Sequence, residues 1–297
     1  MSARLLLGAL WVLHWLPLAV LAPIGRALGM VLYALAGQRR CIALCNLELC
    51  FPEWDEAQRR RLARENFQWL GRSLLERGLL WHASPERLRR LIRVEGDVKL
   101  AERSDRPVMW LVPHFMGLDV AGVSALLYQS RPACSMYQTQ SNRIIDRAMR
   151  RGRLRLGNAE IFSRRDSAKP LIRAIREGKA FFNLPDMDFG RKDAEFVPFF
   201  GVPAATLLAP SRMARALDMI VQPVVAEMLP GGEGYVVRYE APWSDFPTDD
   251  PLADTLRMNR WIEAQIRRNP AQYLWVHKRF KTRPKGEPKL YPKPRRR

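Results

Sequence analysis

The chain has 297 residues, 47% of them hydrophobic and 27% charged, and carries a formal net charge of +19. That balance excludes wholesale disorder and is long enough to bury a full hydrophobic core. So large a positive charge informs about partners more than about fold, and three acidic classes fit it: nucleic acid, an anionic membrane surface, or a small acidic substrate or carrier protein.

The N-terminus is apolar. No Lys, Arg, Asp or Glu falls between Arg4 and Arg26, and Leu5–Ile24 approaches the roughly 20 residues that cross a hydrocarbon core. His14, Pro17 and Pro23 interrupt it. Ala34-Leu35-Ala36 has the form of a signal-peptidase site, but the apolar run is longer than a signal core and Arg26 breaks it first. Residues 1–40 therefore read as an uncleaved anchor, spanning or embedded. Arg26, Arg39 and Arg40 after it, against Arg4 before it, place the remainder on the cytoplasmic side. Cys41, Cys45 and Cys50 follow, with Cys134 later; their spacing matches no zinc site.

Asp55 with Gln58 has the form of a capping box, and Leu62, Asn66, Phe67, Leu70 and Leu74 recur at helical spacing up to about Leu80. Arg59, Arg60, Arg61 and Arg64 occupy the other faces, suited equally to anionic lipid or to solvent. From Ile92 onward strands and helices alternate. The strands are Val108–Val112, Cys134–Tyr137, Ala180–Leu184, Ile220–Ala226 and Tyr235–Tyr239. The helices are Leu118–Tyr128, Arg143–Leu154, Ala168–Glu177, Leu207–Leu217 and Leu252–Arg267, with Gly178 as a C-terminal cap. The alternation predicts an α/β fold, a mixed central sheet flanked by helices, over residues 41–280. Residues 281–297 form a basic, Pro-rich tail, disordered or surface-bound.

Of four histidines, His114 alone follows a buried-type strand and precedes a helix, where ligands collect in open α/β sheets. Asp119 lies five positions on. Five residues along one continuous helix separate two side chains, but a turn at Gly117 would fold the carboxylate back onto the imidazole. Such a pair makes the imidazole a base toward an alcohol. Spacing alone does not separate a catalytic pair from an accidental one.

The surrounding blocks add to this. His114 through Asp119, Ile161-Phe162-Ser163-Arg164, Pro185-Asp186-Met187-Asp188-Phe189-Gly190 and Pro223 resemble, in order, the four blocks of the glycerolipid acyltransferase superfamily. Asn46-Leu47-Glu48-Leu49-Cys50-Phe51-Pro52-Glu53, Val197–Thr206 and Tyr273–Lys281 are similar to the late acyltransferases of lipid A biosynthesis, a bacterial inner-membrane family. Where well-known members carry Glu, this chain has Asp119.

The resemblance implies His114 and Asp119 as catalytic residues, an acyl-acyl carrier protein donor, a phosphorylated lipid A precursor as acceptor, an anionic inner membrane, and neither cofactor nor metal. Arg164 would bind acceptor phosphate or carrier, or else serve as a surface salt-bridge partner. Asp186 and Asp188 would cap a turn, or orient Arg191 or the acceptor sugar. Amides beside Gly117, or a nearby Arg, would hold the oxyanion. Phe199 and Phe200 would shape the pocket wall, Arg279 and Lys281 would meet headgroups or form a solvated run, and His277 would serve packing or an interface. A lysophospholipid or other glycolipid acceptor stays open, as does a non-enzymatic basic membrane or nucleic-acid-binding protein, although no nucleic-acid motif is present.

Overall fold

The structure is a computed structural model describing residues 2–165 and 167–292. The N-terminal third is helical: α1 (Ala3–Leu13), α2 (Leu18–Leu35), α3 (Gly37–Cys50), α4 (Glu56–His82) and α5 (Pro85–Leu91). The expected capping box starts α4: the Gln58 amide donates to Asp55 Oδ1 at 2.7 Å and the Asp55 amide to Gln58 Oε1 at 2.9 Å. Then come β1 (Ile92–Gly96), α6 (Leu100–Arg103), β2 (Val108–Leu111), α7 (Leu118–Leu127), β3 (Ala133–Tyr137), α8 (Arg143–Leu154), β4 (Ala159–Ser163), α9 (Lys169–Arg176) and β5 (Ala180–Asn183). A hairpin of β6 (Ala194–Phe199) and β7 (Val202–Leu207) leads to α10 (Ala209–Ala216), β8 (Ile220–Met228), β9 (Tyr235–Tyr239) and α11 (Pro251–Arg268).

Seven strands form one sheet in the order β1-β9-β8-β2-β5-β3-β4. Every pairing is parallel except β8 with β9, so the sheet is mixed, as expected. β2 lies near the centre with all four side chains buried, which explains its unbroken apolar run. The expected helices and strands from Val108 onward all form, and Gly178 ends α9 at φ +93°.

The apolar N-terminus does not stand apart as one helix. It folds as an α1–α2 pair laid along α4. Gly29 and Gly71 allow this contact: a Cβ on Gly29 would lie 2.1 Å from the Phe67 carbonyl oxygen, and one on Gly71 2.2 Å from that of Gly25. Arg87 fastens the α1–α2 turn, donating to the carbonyls of His14 at 2.6 Å and Leu16 at 2.5 Å. The outer face of the pair stays apolar and open. Nine of the eleven exposed large hydrophobic side chains among the described residues belong to it, including Trp11, Val12, Trp15, Val31 and Leu35.

After α11 the chain returns as a strap across the sheet's C-terminal edge. Two asparagines of the helical layer hold it. Asn66 Nδ2 donates to the carbonyls of Ala271 and Tyr273, and Asn46 Nδ2 to those of Trp275 and His277, all at 2.7 Å. The basic tail then packs down: Thr282 binds Asp188 through its amide (2.6 Å) and hydroxyl (2.8 Å), and the Tyr291 hydroxyl accepts from the Phe280 amide at 3.0 Å. Residues 293–297 of the tail lie outside the described residues.

Candidate active site

His114 sits at the C-terminal end of β2, where parallel α/β sheets present ligands. β2 and β5 pair in parallel with Leu111 opposite Asn183. Three residues further along each strand stand His114 and Asp186, so the register itself brings them together. Asp186 accepts twice from this residue, at Oδ2 from the backbone N–H (2.9 Å) and at Oδ1 from the ring Nδ1 (2.6 Å). The Asp186 side chain is fully buried. Burial alone would raise its pKa, but His114 and the nearby Arg279 outweigh that and hold the carboxyl below its ordinary range. With Nδ1 committed as the donor, Nε2 carries the lone pair. It has no hydrogen-bond partner among the described residues, and the ring lines an open groove.

The expected pairing of His114 with Asp119 is therefore corrected. Asp119 makes no hydrogen bond to His114. It accepts instead from Arg77 Nε of α4 at 3.0 Å and from Arg153 of α8 at 2.8 and 3.1 Å. Burial again opposes ionisation, but Arg153 and Arg77 win and depress the carboxyl pKa strongly. The reason is local geometry. Asp119 is already inside α7, and Gly117 provides no left-handed turn, its φ being −79°. Gly117 serves a close approach instead: a Cβ there would meet the Ala226 carbonyl oxygen of β8 at 2.9 Å. This packs the His114 loop against the sheet. The strap closes the other side, with the Met116 amide donating to the Gln272 carbonyl at 2.7 Å and the Leu274 amide to the His114 carbonyl at 3.0 Å.

Residues behind His114 are committed to holding the site. The Asp188 carboxylate is taken by Thr282 and by the Gly190 amide at 2.9 Å, so it does not reach the groove. His277 accepts the Asp188 amide at Nε2 (3.2 Å); burial, then the neighbouring His114, lowers its pKa to about 4 and keeps it neutral. Arg279 is 3% exposed and donates to the Ala205 carbonyl at 2.9 Å and the Thr206 hydroxyl at 2.7 Å. It does not meet headgroups as its sequence setting suggested. Burial and the adjacent Asp186 carboxylate push the Tyr273 hydroxyl well above its usual range. Phe199, expected in the pocket wall, is buried among Phe200, Tyr273 and Phe280.

The groove has a cavity volume of about 820 Å³. Arg77, Arg153, Arg164 and Lys192 give it a cationic wall. The Arg164 guanidinium stacks 3.4 Å from the Phe189 ring centroid. Arg191 turns away and donates to the Arg283 carbonyl at 2.5 Å, so of the two expected arginines only Arg164 faces the groove. A narrow apolar channel branches from the groove. Both are lined by Leu118, Asp119, Met136, Tyr137, Arg153, Phe182 and Leu184. The channel runs between α7, α8, β3 and β4 toward Ala125, Ala133 and Ala159. Sequence reasoning missed Arg77 and Arg153, which sit in arginine-rich helices where no spacing distinguishes them from solvated neighbours. It also missed Gln272, whose side chain pairs both backbone groups of Met228 at 2.9 and 2.7 Å.

Residues 2–282 match the family model described as bacterial lipid A biosynthesis acyltransferase. The chain is 36% identical to the lipid A biosynthesis palmitoleoyltransferase of Escherichia coli (strain K12) over 288 residues, covering 96% of this chain and 92% of that one. It is 33% identical to the lauroyltransferase of the same organism, at 96% and 93% coverage, and 30% identical to its myristoyltransferase, at 92% and 83%. A crystal structure of the 1-acyl-sn-glycerophosphate acyltransferase PlsC from Thermotoga maritima aligns with a TM-score of 0.38 and 12% identity, over 86% of this chain and 98% of that one. The chain belongs to the bacterial lipid A biosynthesis acyltransferase family.

Proposed function

We propose that this enzyme transfers a fatty acyl group from an acyl carrier protein thioester to a hydroxyl of a phosphorylated lipid A precursor. The observation that carries the reading is His114: Nδ1 is held by buried Asp186 and Nε2 is bare toward a cationic groove with an apolar branch. His114 Nε2 takes the proton of the acceptor hydroxyl as its oxygen attacks the thioester carbonyl. A C–O bond forms, the C–S bond breaks, and the departing thiolate recovers the proton from the imidazolium. Asp186 fixes the tautomer and stabilises the transient cation. The step balances with the two substrates alone.

Asp119 acts as the positioning residue for Arg77 and Arg153, clasping α4, α7 and α8 at the point where channel and groove meet. These guanidinium groups, with Arg164, suit phosphate on the acceptor and the phosphate of the carrier's prosthetic arm. The apolar channel suits the acyl chain.

The site of action is the cytoplasmic face of the bacterial inner membrane. Support comes from the open apolar face of α1 and α2. α1 has 11 residues, a length of about 16 Å, which falls short of a hydrocarbon core roughly 30 Å thick. α2 is long enough, but its inner face is locked onto α4, whose arginines would have to follow it into hydrocarbon. The pair therefore lies in one leaflet, embedded and not spanning.

Purified enzyme given a tetra-acylated lipid A precursor and a panel of acyl carrier protein thioesters is expected to yield a product heavier by one acyl group in mass spectra. Acylation of lysophospholipid with no lipid A product would overturn the acceptor.

A further inference from the structure

We infer that Gly122 sets the length of acyl chain the enzyme accepts, by leaving open the middle of the apolar channel. The inference rests on the acyl transfer proposed above. Gly122 lies in the second turn of α7, one turn beyond Asp119 at the channel's junction with the groove. Asp119, Gly122 and Leu126 share one face of the helix at spacings of three and four. Gly122 lines the channel. A Cβ built on it meets nothing within 4 Å, so a side chain there would point into the channel itself.

No other feature of the position calls for glycine. Its φ is not positive. A glycine inside a helix destabilises it relative to alanine, so the vacancy carries a cost that the fold does not repay. Gly152, across the same channel, shows the contrast. A Cβ there would strike the Trp81 ring at 2.4 Å, so Gly152 exists for packing and seals the wall. Beyond Gly122 the channel continues to a floor of small residues, Ala125 on the helix and the register pair Ala133 and Ala159 on β3 and β4. A chain reaching that floor must pass Gly122; one that ends earlier need not.

The test uses the full-length enzyme, wild type, Gly122→Ala and Gly122→Leu. Each receives the lipid A precursor and acyl carrier protein thioesters of saturated chains stepped two carbons at a time, and kcat/KM is measured for each length. One methylene of misfit in an apolar pocket is worth about tenfold or more. The expected result is a shift of the length optimum toward shorter chains, larger for leucine. The longest chain that wild type accepts should lose at least about tenfold with alanine. Melting of Gly122→Ala at or above the wild-type temperature separates this from misfolding. An unmoved length profile overturns the inference, as does a loss uniform across all lengths. Wild-type enzyme that transfers no acyl chain overturns the proposed function itself, and the inference with it.

Discussion

Replacing Asp186 by asparagine removes one charge and almost no volume, and it separates the two carboxylates that sequence and structure offer as the partner of His114. Asp186 accepts from two donors of the same residue, the amide at 2.9 Å and Nδ1 at 2.6 Å. Asparagine has a single oxygen. If that oxygen serves the backbone amide, the NH2 group donates to Nδ1 and the ring proton moves to Nε2, where it blocks proton abstraction. If the oxygen serves Nδ1, the buried amide of His114 faces an NH2, a loss of about 1–3 kcal/mol for an unsatisfied donor. Losing the charge-assisted bond to the imidazolium adds roughly 1.5–3 kcal/mol. The unsatisfied amide is common to ground and transition states and lowers stability, whereas the lost bond to the imidazolium acts on the transition state alone and, at about 1.36 kcal/mol per tenfold, predicts a fall in kcat of roughly 10–10². Steady-state transfer to the lipid A precursor measures it, with circular dichroism confirming the fold. Asp186→Asn enzyme within tenfold of wild-type kcat, beside an Asp119→Asn enzyme that has lost 10³ in kcat at unchanged KM, would refute the assignment and restore Asp119 as the partner.

Other consequences concern binding, pH and the membrane. Asp119→Asn releases Arg77 and Arg153 from a site only 14% exposed, so KM for the substrates should rise about tenfold or more while kcat falls less, read from the same kinetics. His277 is neutral in the fold, with a pKa near 4 against an ordinary 6.5. The unfolded chain therefore takes up the proton first, and stability that is complete above pH 6.5 declines as pH falls toward 4. Between pH 7 and 5 this amounts to about 2 kcal/mol. Denaturant melts should show it, and His277→Gln, which keeps an acceptor for the Asp188 amide, should remove it; equal slopes in both proteins would contradict the reading. The double substitution of Trp11 and Trp15, 53% and 68% exposed, by serine should weaken partitioning to anionic vesicles by about tenfold or more. An unchanged partition would show that the α1–α2 face does not meet lipid.

Much of this protein follows from the chain read linearly. The buried run of β2, the capping box of α4 and the glycine after α9 are local signals, each decided by a few neighbouring residues, and each stands where expected. The short edge strands β1 and β4 were not legible, because half-exposed strands of five residues with charged members look like loop. The β6–β7 hairpin was hidden too: Phe200 and Gly201 form its turn, both at positive φ, and phenylalanine is not a residue that announces such a turn. His114 and the ordered motifs around it were evident by themselves, and with them the family and its chemistry. What only the tertiary structure decided is which carboxylate His114 faces. Asp119 is five residues away along the chain, but helix geometry turns it toward Arg77 and Arg153. Asp186 is 72 residues away, and the parallel register of β2 with β5 puts it beside the imidazole. Sequence distance is set by the chain; hydrogen-bond distance is set by strand pairing, which no single segment encodes.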